Sequence, residues 1–146
     1  MVFLVAIFLF TKYMPTQKTE TKSSSSVTEV LDGDTIELAS GKRVRLIGID
    51  APEKGKPMYK ESREFLKNLL ENKDVVFERD SVNADKYGRL LRYVYADEVF
   101  VNLEMVESGY ASFYSYGSNQ KFSKEFVAAE KIAKQNNLGI WKNSKS

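Results

Sequence analysis

Apolar and polar residues alternate in short runs over most of the chain, and the period changes along it. Ser26–Leu31 (SVTEVL) and Thr35–Leu38 (TIEL) carry β-branched residues at a period of two, which predicts two strands. Asp32-Gly33 between them predicts a hairpin turn. Ala39–Lys42 (ASGK) is a second turn, and Arg43–Ile49 (RVRLIGI) reads as a third strand. Ala51-Pro52 stops that strand, because proline lacks the ladder N–H and pushes the preceding residue to extended backbone. The period then lengthens: Met58, Phe65, Leu66, Leu69 and Leu70 predict an amphipathic helix over Pro57–Asn72. Val75–Arg79 and Leu90–Tyr95 read as strands four and five, with Ala96-Asp97-Glu98 turning the chain into Val99–Val101. Asn102–Ser108 reads as a short helix that Asn102 caps and Gly109 ends. Ser123–Gln135 is a last helix with Phe126, Val127, Ala129, Ala133 and the flanking Phe122 as its apolar side, and Trp141 docks the C-terminus.

Three strands, a helix, two strands and then helices form the order of an OB fold. The expectation is therefore α+β, mainly β: a five-stranded Greek-key barrel with three helices. Other α+β folds share that order, so it is not unique. The domain is expected over 27–146. Ahead of it, Met1–Phe10 is uncharged and apolar, and a polar stretch ending in four consecutive serines follows. Spanning a bilayer takes about 20 residues, so the run suits the apolar part of a secretory signal or a weak membrane anchor through residues 1–10. A buried N-terminal element is the alternative.

Composition narrows the chemistry. The chain has 146 residues and contains no histidine and no cysteine. An imidazole base, a thiolate nucleophile, a disulfide framework and a His- or Cys-built metal site are all excluded. What is left is carboxylate, Arg, Lys, Tyr and a hard cation on oxygen. The net charge of +2 is that of the tail, where Lys12, Lys18 and Lys22 stand against Glu20. The domain itself is neutral, so anion binding must come from local clusters.

Three clusters could carry chemistry. In Asp32-Gly33-Asp34-Thr35, two carboxylates at a tight turn are either solvent-facing or half of an oxygen-ligand cation site. In Arg45-Leu46-Ile47-Gly48-Ile49-Asp50-Ala51-Pro52-Glu53, an Arg inside an apolar strand either faces solvent or has a partner, since an unpaired buried guanidinium is costly. Asp50 and Glu53 lie where this strand breaks, either as loop charge and helix cap or as groups on a metal and a water. Asp85-Lys86-Tyr87-Gly88-Arg89 is either a β-turn or a phosphate clamp with an aromatic surface. Tyr110, Phe113, Tyr114 and Tyr116 add an aromatic stretch that serves as core or as a stacking platform.

In combination and order, DGDT, RLIGIDAPE, DKYGR and the final LGIW resemble the staphylococcal nuclease family, from about Val27 to Trp141. The resemblance implies a calcium-dependent enzyme that cuts DNA and RNA and leaves 3′-phosphates. It implies Asp34, Asp50 and the Ala51 carbonyl as calcium ligands. Arg45 and Arg89 match the catalytic arginines, and Glu53 the catalytic glutamate. Lys86 and Tyr87 match contacts to a terminal phosphate, and Tyr114 and Tyr116 match tyrosines beside base and sugar. The loop Lys54–Lys56 is shorter than in the best-known members. A non-catalytic OB module binding single strands or oligosaccharide is the competing expectation. The placement expected is secreted or on the outer face of the cell membrane, as a monomer with no protein partner.

Overall fold

A computed structural model describes residues 26–143. The apolar run Met1–Phe10 and the serine-rich stretch lie outside the described residues. Strands β1 (Val27–Asp32) and β2 (Thr35–Leu38) form the expected hairpin, and β3 (Arg43–Leu46) pairs antiparallel with β2. The two turn residues between β1 and β2 are Gly33 and Asp34. Gly33 has no positive φ; it is required by close approach, because a Cβ there would meet the Ala51 Cβ at 2.7 Å and the Ser62 Cβ at 2.8 Å.

The expected third strand is divided. The chain turns at Ile47-Gly48, where Gly48 has φ +82°, and resumes as β4 (Ile49–Asp50). Leu46 and Ile47 are both fully buried, which successive residues of a half-exposed strand cannot be. The turn resolves the conflict and packs Gly48 against the Phe126 ring.

Helix α1 (Tyr59–Leu70) follows and buries Leu66 and Leu70, with Phe65 stacked on Tyr110. Strands β5 (Val75–Glu78), β6 (Leu90–Ala96) and β7 (Val99–Phe100) come next. Strand β6 lies parallel to β3, with Arg45 opposite Leu91, and the α1–β5 segment supplies the crossover such a pairing requires. The sheet order is β1-β2-β3-β6-β5, with β7 also on β6, and the other pairings are antiparallel. The fold is α+β with three helices, but the sheet is open: among the described residues no pairing joins β5 to β1.

Helix α2 (Val101–Glu107) begins one residue earlier than expected, and Asn102 does not cap it. Asn102 is fully buried inside the first turn, accepting from the Val94 N–H and donating to the Ile47 and Arg92 carbonyls. Gly109 ends the helix as expected, with φ +79°. Strand β8 (Ser112–Phe113) pairs with β4. Helix α3 has the expected bounds, Ser123–Gln135, but Val127 is exposed while Phe122, Phe126, Ala129 and Ala133 are buried. The C-terminus docks through a 3₁₀ turn at Gly139–Trp141, where the Ile140 N–H donates to the Gly109 carbonyl at 2.8 Å.

Candidate active site

Arg45 is held in the middle of the sheet by β2 on one side and β6 on the other. Its side chain is 12% exposed, which decides the question of a solvent-facing Arg: it has partners. Nη1 donates to the Leu46 and Ile49 carbonyls, both at 2.7 Å. Nη2 faces Asp34 Oδ2 at 3.3 Å and Asp50 Oδ1 at 3.4 Å. The turn at Ile47-Gly48 brings both of those carbonyls and Asp50 to one guanidinium.

Asp34 sits buried at the β1–β2 turn. Its Oδ2 accepts the Ala51 N–H at 2.8 Å and its Oδ1 accepts the Thr35 hydroxyl at 2.9 Å. Its own N–H donates to Asp32 Oδ1 at 3.0 Å. Burial, then the Asp34 charge, pushes the Asp32 carboxyl up to about 6. Asp50 is likewise raised, first by burial and then by Asp34, with Glu53 adding to it and Arg45 opposing. Asp34 and Asp50 therefore share one guanidinium, with the charges of Asp32 and Glu53 close enough to add to the repulsion. An all-oxygen donor set with surplus negative charge fits a hard cation. Among the described residues no three acidic side chains converge closely enough to form a complete cage, so Asp34 and Asp50 would need backbone or solvent oxygens beside them.

Arg89 is held differently. The Asp85 carboxylate, almost fully buried, accepts the Tyr87 and Arg89 N–H groups on Oδ1 at 2.9 and 3.0 Å, and the Arg89 Nε–H on Oδ2 at 2.6 Å. Burial raises the Asp85 carboxyl, but these donors outweigh it and hold it below the usual range. The Nε anchor leaves the Arg89 terminal nitrogens as a fork. Gly88, φ +79°, closes the turn that presents Tyr87. The Tyr87 ring is 72% exposed, with Lys86 Nζ at 5.1 Å and the Arg89 guanidinium carbon at 5.5 Å from its centroid.

Arg45, Asp50, Lys86, Tyr87, Arg89, Tyr114 and Tyr116 all line one cleft of about 320 Å³. The Tyr114 and Tyr116 rings are 6.4 Å apart and tilted by 48°, and line the cleft together with the basic turn. Asp34 and Ala51 lie buried behind Arg45 and Asp50. Glu53 is exposed on the turn after Pro52, outside the cleft wall. A profile of the family described as staphylococcal nuclease homologue matches residues 43–143, which span all of these positions except Asp34.

The chain belongs to the staphylococcal nuclease family.

Within that family it is 37% identical over 124 residues to the thermonuclease of Staphylococcus intermedius, covering 79% of this chain and 74% of that protein. It is 36% identical over 126 residues to the thermonuclease of Staphylococcus hyicus, covering 80% and 75%. It is also 36% identical over 127 residues to an uncharacterized endonuclease of Escherichia coli, covering 81% and 76%. For this family member, the sequence reading missed Asp85 as the group that aims Arg89. The signal was available: an acid four residues before an Arg across a Gly turn.

Proposed function

We propose that this nuclease is a calcium-dependent phosphodiesterase that hydrolyses DNA and RNA and leaves 3′-phosphate ends. The observation that carries the reading is the convergence of Arg45 and Arg89 on one cleft, beside an acid cluster with too few cations. Arg89 can donate paired hydrogen bonds through its terminal nitrogens, and Arg45 can offer Nη2, whose contacts to Asp34 and Asp50 are long, to phosphoryl oxygens where charge develops as water attacks phosphorus. Glu53, exposed on the turn next to Asp50, is assigned as the base that takes the water proton. The new bond is water oxygen to phosphorus; the bond broken is phosphorus to the 5′ oxygen, which takes a proton from solvent, leaving a 3′-phosphate and a 5′-hydroxyl.

Asp34, Asp50 and the Ala51 carbonyl would hold the calcium, whose chemistry there is neutralisation of phosphate charge. Lys86 and Tyr87 are assigned to a flanking phosphate, and Tyr114 and Tyr116 to base and sugar. The strand path β1-β2-β3-β6-β5 supports an OB-type barrel lacking only its closing β1–β5 pairing. The assignment extends to a secreted or outer-face enzyme; among the described residues no helix is long and apolar enough to cross a membrane.

Plasmid DNA and RNA incubated with calcium, magnesium or chelator test the reading. Cleavage of both with calcium, and none in chelator, is expected. Binding that persists unchanged in chelator without product would overturn it in favour of a non-catalytic module. Fractionating cells that express the chain with and without residues 1–26 checks placement, and a cytosolic full-length protein would refute it.

A further inference from the structure

The tyrosines and the basic turn that line the cleft belong to loops far apart in sequence, and side chains outside the cleft join those loops, Asn119 most directly. Asn119 is 3% exposed, and its amide pairs with the backbone of Val82 on both sides. Oδ1 accepts the Val82 N–H at 2.7 Å and Nδ2 donates to the Val82 carbonyl at 3.1 Å. An amide is the side chain that offers one donor and one acceptor in that geometry, so it stands in for a strand partner. On its own side, the Asn119 N–H donates to the Tyr116 carbonyl at 3.0 Å, closing the turn that carries Tyr116. On the other side, Val82 is followed by Asn83, whose carbonyl accepts the Leu91 N–H at 2.9 Å, and then by the Asp85 turn that aims Arg89. A second tie lies beside the first: the Lys121 N–H donates to Asp80 Oδ2 at 3.2 Å, which also accepts the buried Tyr93 hydroxyl at 2.6 Å.

We infer that Asn119 is a positioning residue that sets the spacing between the aromatic wall at Tyr114 and Tyr116 and the cationic wall at Lys86 and Arg89. The inference rests on the phosphodiesterase reading above. A substrate that spans both walls depends on their separation, whereas a phosphodiester too small to reach the tyrosines depends on the arginines alone. Positioning at this level is felt first in the spanning substrate, because misplacement of a bound group is amplified in rate.

The test uses the full chain with calcium and two substrates: a dinucleoside monophosphate, and methyl p-nitrophenyl phosphate. N119D keeps the acceptor for the Val82 N–H but sets a second oxygen against the Val82 carbonyl; N119A removes both bonds. Circular dichroism fixes a temperature at which every variant is folded. Both variants are expected to lose about tenfold or more in kcat/KM on the dinucleoside, mainly through KM, and less than about threefold on the small ester. Equal losses on the two substrates, or no loss on either with the fold intact, would overturn the inference while leaving the phosphodiesterase reading standing. Wild-type protein that turns over neither substrate would overturn the reading itself, and this inference with it.

Discussion

Arg45 and Arg89 are both anchored, but by different chemistry. Arg45 is gripped by two backbone carbonyls through Nη1, and Arg89 by the Asp85 carboxylate through Nε. Lysine keeps the charge but can reproduce neither grip. Arg89→Lys is expected to lower kcat by about 10²–10³ and to destabilise by about 1–3 kcal/mol, because the nearly buried Asp85 carboxylate loses its Nε–H donor. Arg45→Lys is expected to lower kcat similarly and also to destabilise by about 1–3 kcal/mol, because the Leu46 and Ile49 carbonyls lose their donors. Steady-state kinetics beside urea unfolding separate the two effects; near-full kcat in Arg89→Lys would remove that residue from its role. Asp80 supplies a pH test. Burial raises its carboxyl, but the Tyr93 hydroxyl, the Lys121 N–H and Ser81 together bring it below the ordinary 3.8. A depressed carboxyl contributes stability that is fully present above the unfolded value and lost as pH falls through the folded one. Asp80→Asn should therefore be less stable than wild type at pH 7, with the gap closing as pH falls below about 4. A gap that stays constant from pH 7 to 3 would show that the carboxylate charge is irrelevant.

At the scale of elements, what was legible in the sequence was whatever depends on neighbours in the chain. The β1–β2 hairpin followed from alternation and an Asp-Gly turn, and α3 from an apolar period that needs no distant partner to be seen. The division of the third strand was not legible. It depends on Leu46 and Ile47 both being buried, by elements that arrive later in the chain. The same holds for Asn102 and Asn119, whose amides serve backbone 8 to 55 residues away, and so read as ordinary polar residues in sequence. Of the residues the motifs singled out, the cleft unites Arg45, Asp50, Lys86, Tyr87, Arg89, Tyr114 and Tyr116, while the exposed place of Glu53 was not legible. Gly33 was read as a turn glycine, yet its requirement is space against Ala51 and Ser62. Gly33→Ala is accordingly expected to destabilise by about 1–3 kcal/mol through overpacking where α1 meets the site. Thermal unfolding measures this, and an unchanged melting temperature would mean that α1 yields freely.

At the scale of the molecule, the neutral domain is uneven. Asp34 and Asp50 pair with the Arg45 guanidinium, with Asp32 and Glu53 near them, while Lys86 and Arg89 line the same cleft. Folding has to bring the acids together, so their mutual repulsion counts against the native state until a cation joins them. Two opposite signs follow from one substitution. In chelator at pH 7, Asp50→Asn removes a charge that burial and Asp34 both disfavour, so the variant is expected to be as stable as wild type or slightly more so. If calcium binds as proposed, the order is expected to reverse, because a ligand that binds only the folded state stabilises it by about 2.7 kcal/mol at one hundred times its Kd, and the variant lacks one proposed ligand. Asp34→Asn should also lose the calcium response. It should be less stable even in chelator, since Asp34 accepts from Ala51 and Thr35 and pairs with Arg45. Magnesium, which asks for a tighter octahedral shell, should raise the wild-type melting temperature less than calcium. Differential scanning calorimetry of the three proteins in chelator, magnesium and calcium reads every sign. A wild-type melting temperature indifferent to calcium would show that the acid cluster is not where the metal binds.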